Sequence, residues 1–237
     1  MEYEIIGTPF PAVICRLNEN EAIHCQSDGM SWMSPNMEMN TNTGGGIGKL
    51  FGRALTGESL FRCTYTARQG GGMISIASTL PGQILPIQIT PQRPIVAQKS
   101  AFLAMESSVD MSIFFQKKLG SGFFGGEGFI MQRFAGNGMT FLEINGSLVE
   151  YDLAANQTIV VDTGYLAAMD ETCSMDIQMV KGVKNMLFGG EGLFNTRITG
   201  PGHIWLQTMP APALARSIIP FLQDTPPSGR RADGPLR

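Results

Sequence analysis

This chain is poor in charged residues and has almost no histidine. Charged residues make up 16% of its 237 residues, against about 25% in an average soluble protein. The formal charge is −3, and no block of lysines or arginines supplies the positive field that a phosphate backbone requires. With only His24 and His203, general acid–base catalysis has few candidate groups. We therefore expect neither nucleic-acid binding nor enzymatic activity.

The cysteines form no metal-binding pattern. They are Cys15, Cys25, Cys63 and Cys173. None of them forms a C-x-x-C pair, and the two histidines do not complete a zinc set, so we interpret them as reduced thiols. The closest approach to a phosphate loop fails because Thr43 and Leu50 stand where a glycine and a hydroxyl residue are needed. The sequence therefore predicts no metal and no cofactor.

Long apolar runs are also lacking. No stretch approaches the roughly 20 apolar residues of a membrane span. Residues 1–4 are acidic and lack the basic and apolar regions of a signal peptide. We therefore expect a soluble cytoplasmic protein without a transmembrane segment.

What the chain does contain is glycine and an internal repeat. Glycine accounts for 29 residues, which favours many tight turns. The motif FGGEGF at 124–129 returns as FGGEGL at 188–193, and its glutamates differ by 191 − 127 = 64. The same offset links Met105 to Met169. Because a period of this length is typical of stacked or ringed supersecondary units, the sequence predicts tandem repeats.

A first copy precedes these two. An offset of 72 carries Met33 onto Met105, and residues 55–61 resemble the glycine-glutamate motif more loosely. We therefore divide the chain into β-repeats at 1–83, 84–147 and 148–223. Short runs of β-branched residues bounded by proline, asparagine and glycine predict antiparallel hairpins in each repeat, and hence an all-β protein.

The end of the chain is less regular. Residues 213–222 form one more apolar run, which predicts either a closing strand or a short helix weakened by Pro220. Residues 224–237 have the proline and glycine content of a disordered tail.

Glu58, Glu127 and Glu191 are the candidate functional residues. A carboxylate repeated three times could line a ring and bind a cation. The interpretation we favour is structural, because flanking glycines let the chain turn while the carboxylate accepts exposed backbone N–H groups.

The aligned methionines leave a similar choice. Met33, Met105 and Met169 form one aligned set, which could create a pliable contact surface. Filling of the core is the favoured interpretation. We likewise interpret Trp32 and Trp205 as packing residues, since base stacking would have no basic groove beside it.

Several stretches together resemble one known family. They are residues 3–7 with 9–11, 57–61, 124–129, 161–164, 188–194 and 202–208. On these residues the chain is similar to the altered-inheritance-of-mitochondria (mitochondrial biogenesis) family, over about residues 3–210. The resemblance implies three tandem β-sandwich units of double-stranded β-helix type, with a fold like the tryptophan RNA-binding attenuator protein.

The resemblance also implies a role without catalysis. It indicates a structural or interaction protein whose chains form a closed ring, expected as a homotrimer with an unknown protein partner. The alternative is a module that holds a small apolar ligand between repeats. The likeness to the attenuator protein concerns the fold and carries no RNA-binding function with it.

Overall fold

The computed structural model describes residues 1–40, 62–117, 128–179 and 194–223. Within these ranges the protein is predominantly β, with nineteen strands, two 3-10 turns and one α-helix. Every strand pairing described between them is antiparallel. The expectation of an all-β protein is therefore confirmed.

The strands follow one another closely along the chain. The first seven are β1 Glu2–Ile6, β2 Ala12–Leu17, β3 Ala22–Gln26, β4 Met30–Met33, β5 Met37–Asn40, β6 Arg62–Ala67 and β7 Gly72–Ala77. The next six are β8 Gly82–Ile89, β9 Ile95–Gln98, β10 Phe102–Glu106, β11 Val109–Lys117, β12 Phe129–Gly136 and β13 Gly138–Asn145. The last six are β14 Leu148–Leu153, β15 Thr158–Asp162, β16 Leu166–Asp170, β17 Ser174–Met179, β18 Phe194–Thr199 and β19 Gly202–Gln207.

Alternation of apolar and polar residues explains why these segments are strands. In β2, Val13, Cys15 and Leu17 are buried while Arg16 is exposed. Successive side chains of a strand point to opposite faces, so this spacing presents one apolar face to a core. Strands β9 and β10 are buried almost throughout, as expected for strands covered on both faces.

After β1, the strands fall into three blocks, β2–β7, β8–β13 and β14–β19. In every block the sixth strand pairs with the first and the third, and the fifth pairs with the second and the fourth. In every block the pairing of the third strand with the sixth is also interrupted by a register shift. The shifts lie at Met30/Trp32, Phe102/Ala104 and Leu166/Ala168.

Two of the four sheets formed by the described strands are shared between blocks. One six-stranded sheet has the order β5-β6-β3-β10-β13-β8, and the other has the order β11-β12-β9-β16-β19-β14. The third strand of a later block thus pairs with the second strand of the block before it, β10 with β3 and β16 with β9. The remaining sheets are β1-β2-β7-β4 and β15-β18-β17.

In the described ranges, three clusters of buried side chains form the interior. The first core is built on Val13, Cys15, Ile23, Ile74 and Ile76 of the first block. The second core is built on Ile89, Ile95, Met105, Phe134 and Leu142 of the second block. The third core is built on Leu153, Leu166, Met169, Ile198 and Ile204 of the third block.

The apolar run after β19 is a helix. It is α1, Ala211–Gln223, which resolves the choice left open for residues 213–222 against a closing strand. The N–H groups of Ala213 and Leu214 donate to the Pro210 carbonyl and start the first turn, where Pro212 lacks a donor that would be unpaired anyway. Pro220 lies within the helix, so it did not prevent helix formation.

Candidate assembly site

The predicted glutamate site stays a prediction. Glu58, Glu127 and Glu191 lie outside the described residues, as does the segment 224–237. The candidate site described below lies at the edges of the described strands.

The junction between blocks is a continuous β-sheet. Strand β10 is inserted between β3 and β13, with Ala104 opposite Cys25 and Met105 opposite His24. Strand β16 is inserted in the same manner between β9 and β19, with Ala168 opposite Ala97. The first four residues of both inserted strands are buried.

Two strands at corresponding positions lack such a neighbour. Among the strands that the structure describes, β4 pairs only with β7, and β15 pairs only with β18. Strand β4 is the third strand of its block, like β10 and β16. Strand β15 is the second strand of its block, like β3 and β9. Among the described residues, β4 thus offers a free edge equivalent to the inserted strands, and β15 offers a free edge equivalent to the strands beside which they are inserted.

The side chains at these free edges are exposed. Met33 is 36% exposed and Trp32 is 45% exposed, whereas Met105 and Met169 are fully buried in the second and third cores. On the other edge, Val160 is 53% exposed, whereas Val96 of β9 is fully buried. The predicted core role of the methionines is thus seen for Met105 and Met169, while Met33 lies at an uncovered edge.

Hydrogen bonds hold each pair of blocks at the connection between them. Glu143 Oε1 accepts from the Thr79 N–H at 3.1 Å, the Thr79 hydroxyl at 2.9 Å and the Leu80 N–H at 3.1 Å. At the next connection, Gln207 Oε1 accepts from the Asn145 N–H at 3.1 Å. Burial raises the pKa of the Glu143 carboxyl, although these hydrogen bonds act in the opposite direction.

Ion pairs also link the second and third blocks. Arg93 Nε donates to Asp170 Oδ1 at 3.0 Å, and Arg133 Nε donates to Glu171 Oε1 at 2.5 Å. Asp170 Oδ2 further accepts the His203 N–H at 2.9 Å. Arg197, which the offset of 64 aligns with Arg133, is exposed.

His203 is held by two carboxylates. Its Nδ1 lies 2.6 Å from Asp152 Oδ1, its Nε2 lies 3.2 Å from Glu150 Oε2, and its ring contacts Trp205. These groups connect β14 to β19, so the contact stabilises a pair of neighbouring strands. Across residues 1–40, 62–117, 128–179 and 194–223, no group of three or more His, Cys, Asp or Glu is arranged to hold a metal ion.

A pocket of about 380 Å³ opens beside β15. It is lined by Val149, Val161, Asp162, Tyr165, Leu206, Gln207 and Thr208. Val161 and Leu206 also pack against the third core, so the pocket is an opening into that core. Sequence reasoning missed this feature, because it results from pairing between distant strands.

The comparisons with known proteins agree with this fold. A family model described as mitochondrial biogenesis AIM24 matches residues 3–209. The chain belongs to the AIM24 family. It is 28% identical over 222 residues to an uncharacterized protein of Streptococcus pyogenes serotype M6, covering 90% of this chain and 87% of that protein.

A solved structure is similar as well. The X-ray crystal structure of a protein from Streptococcus pyogenes matches with a TM-score of 0.79, covering 93% of this chain and 99% of that chain at 23% identity. At this identity the match shows that this AIM24 protein shares the fold. In the part of the chain that the structure describes, no helix has the length and apolarity of a membrane span.

Proposed function

We propose that this AIM24 protein is a non-enzymatic structural protein that forms a closed, multivalent ring from identical chains. The proposal treats the three blocks as tandem repeats at 1–83, 84–147 and 148–223, each a β-sandwich of double-stranded β-helix type like the attenuator protein. Copies would join head to tail, with β4 of one chain pairing with β15 of the next.

The complementarity of the two free edges carries this proposal. An exposed strand edge presents unpaired N–H and C=O groups and invites pairing with another strand. Here the free edge of β4 is equivalent to the strands inserted at the internal junctions, β10 and β16. The free edge of β15 is equivalent to the strands beside which they are inserted, β3 and β9. A heterologous contact of this sort closes into a ring when the rotation between copies allows it.

The internal junctions supply the register of the contact between chains. Applying the offsets of 72 and 64 to Ala104 opposite Cys25 and to Ala168 opposite Ala97 gives Trp32 opposite Val161. The neighbouring pair becomes Met33 opposite Val160. The resulting sheet would join β17, β18 and β15 of one chain to β4, β7 and β2 of the next. It would thus have six strands, with β1 as an additional edge strand beside β2.

We expect three copies, the number implied by the resemblance noted in the sequence. A ring of three would repeat every surface feature three times, which suits binding of a multivalent protein partner. Its location is proposed to be the cytoplasm.

Sedimentation equilibrium of the purified chain tests the ring. We expect a particle of three times the chain mass of 25.6 kDa. Val160→Lys places a charge on the exposed β15 edge, so it should give monomers, while Phe114→Lys on β11 should leave the mass unchanged. A wild-type protein that stays monomeric at all concentrations would contradict the proposal.

A second function is favoured by the pocket. Its volume of about 380 Å³ falls within the usual range of roughly 300–1,000 Å³ for small-molecule sites. Its lining is largely apolar, so the alternative is a module that holds a small apolar ligand. Native mass spectrometry would then detect one bound small molecule per chain.

A further inference from the structure

Trp32 differs from its counterparts in the other blocks. Its position in the strand pairing is that of Ala104 and Ala168. The residues opposite them on the sixth strand also differ, being Ser75, Phe141 and Trp205 respectively. Each pair therefore combines one aromatic residue with one small residue, and only in the first block does the aromatic residue belong to the free edge strand.

The two internal pairs pack into the block that precedes them. Ala104 and Phe141 of the second block lie in the first core, together with Cys25. Ala168 and Trp205 of the third block lie in the second core, together with Ala97. An aromatic side chain from one block thus completes the core of the block before it.

The third core has no following block to complete it within the described chain. Its pocket is lined by Val149, Val161 and Leu206. The offset of 64 aligns these residues with Leu85, Ala97 and Leu142, all of which pack in the second core with Trp205. The pocket therefore lies where an aromatic side chain enters at the internal junction.

We infer that the pocket is an assembly socket, filled by Trp32 from a second copy of this chain. Trp32 would lie opposite Val161 in the new sheet, and its ring would be placed in the third core as Trp205 is placed in the second. This inference rests on the proposed ring and adds the residue that anchors it. According to this inference, a protein side chain occupies the pocket, and a small ligand does not.

Size and burial are consistent with this occupant. Trp32 is 45% exposed and lies opposite the fully buried Ser75 of the neighbouring strand β7, so part of this residue is accessible to a second chain. A buried tryptophan covers about 150–250 Å², and an indole fits within a space of about 380 Å³. Aromatic residues that enter such pockets commonly dominate the affinity of an interface.

Fluorescence of a single tryptophan tests the insertion directly. Trp205→Phe leaves Trp32 as the sole tryptophan, and phenylalanine is tolerated there by analogy with Phe141 at the equivalent position. We expect Trp32 emission to shift to longer wavelength as the protein is diluted and the assembly dissociates. Emission typical of a water-exposed indole in the assembled protein would overturn the inference.

Affinity gives an independent measurement. Trp32→Ala in the full chain should raise the dissociation constant per junction by about 100-fold or more, and Trp32→Phe by less than about tenfold. Phe114→Ala is the matched control, because Phe114 is 41% exposed and lies on β11, which belongs to a different sheet from both β4 and β15. It should leave the dissociation constant unchanged.

The outcomes separate the inference from the proposed function. If the wild-type chain is monomeric, both are wrong. If wild type and Trp32→Ala assemble with equal affinity, the ring stands and the insertion is wrong. A small molecule found bound in the pocket of the assembled protein would also overturn the insertion.

Discussion

The Glu143 carboxylate accepts two hydrogen bonds from Thr79, one from its N–H at 3.1 Å and one from its hydroxyl at 2.9 Å. Thr79 precedes β8 and Glu143 lies on β13, so this contact fixes the connection between the first and second blocks. The carboxylate is buried, and burial raises its pKa. The hydrogen bonds therefore stabilise this contact, while burial of the charged carboxylate destabilises it.

Substitutions at Glu143 should separate these two effects. Glu143→Ala removes the acceptor for two backbone N–H groups, so we expect a loss of about 1–3 kcal/mol in the free energy of unfolding. Glu143→Gln keeps an oxygen acceptor and removes the charge, and Gln207 already serves at the equivalent position. Its free energy of unfolding should remain within about 1 kcal/mol of wild type. Chemical denaturation at pH 7 gives both values.

The difference in stability between wild type and Glu143→Gln should change with pH in a definite direction. A carboxyl whose pKa is raised on folding contributes stability fully below its unfolded pKa and loses that contribution as the pH rises through its folded pKa. The stability of wild type relative to Glu143→Gln should therefore fall as the pH is raised from 4 towards neutrality. An increase over that range would contradict the assignment of burial as the dominant influence.

Much of the strand pattern was available from sequence. Alternation around Val13 and Cys15 indicates β2, because each strand needs only its own residues to display a period of two. Pairing between blocks, such as β16 with β9, was not predictable in this way, because its partners are distant in the chain and both strands are buried almost throughout. The conformation of 213–222 was undecided, since an apolar run with one proline fits both states.

The candidate site illustrates the same limit. The offsets of 72 and 64 align Trp32 with Ala104 and Ala168. The large aromatic residue at the first of these three positions was the signal that the sequence offered. Its meaning depends on Ser75, Phe141 and Trp205, which lie across the sheet rather than along the chain. The predicted glutamate site at Glu58, Glu127 and Glu191 stays a prediction.

Two neighbouring acids should differ in importance. The Asp170 side chain is 15% exposed, forms an ion pair with Arg93 and accepts a hydrogen bond from the His203 N–H. Glu171 forms an ion pair with Arg133, which is partly exposed. We expect Asp170→Ala to cost about 1.5–3 kcal/mol and Glu171→Ala about 1 kcal/mol or less. Urea denaturation at low and high salt checks this, and only the small effect at Glu171 should vanish in high salt. Equal losses in the two variants would show that the backbone contact of Asp170 adds nothing.

Two thiols should resist modification in the folded protein. Burial raises the pKa of Cys15 and of Cys25 to about 12, and the thiolate is the reactive form. A colorimetric thiol reagent at pH 8 should leave both unmodified until denaturant is added. Rapid labelling of either residue in the native protein, located by peptide mass spectrometry, would contradict their described burial.

The same thiols predict loss of stability in alkali. Their pKa values are about 12 in the folded state and about 8.5 in an unfolded chain. Their contribution to stability is therefore complete below about pH 8.5 and is lost as the pH rises towards 12, at about 1.4 kcal/mol per thiol per pH unit. Cys15→Ala should show a shallower decline than wild type in thermal melts between pH 8 and 10. Parallel declines would mean that Cys15 is already ionisable in the folded protein.

The register of the contact between chains can be tested by cross-linking. In the proposed sheet, Met33 of one copy lies opposite Val160 of the next, as Met105 lies opposite His24 and Met169 opposite Val96 within the chain. Directly opposed residues have Cβ atoms about 4.5–5.5 Å apart, and diagonal ones about 7–8 Å apart. A disulfide needs about 3.5–4.5 Å between Cβ atoms, so only the opposed pair can form one with small adjustment.

The cross-linking experiment uses Cys63→Ala as its background, because Cys63 is the native thiol that is not buried. On mild oxidation, Met33→Cys with Val160→Cys should yield covalent dimers and a closed covalent trimer on denaturing gels. Met33→Cys with Thr158→Cys is the matched control, displaced by two residues along β15, and should yield little product. Each single-cysteine variant measures the yield of disulfides that form by random collision between molecules. Equal yields from the opposed and displaced pairs would contradict the register, and with it the equivalence between the chain junction and the internal junctions from which the register was taken.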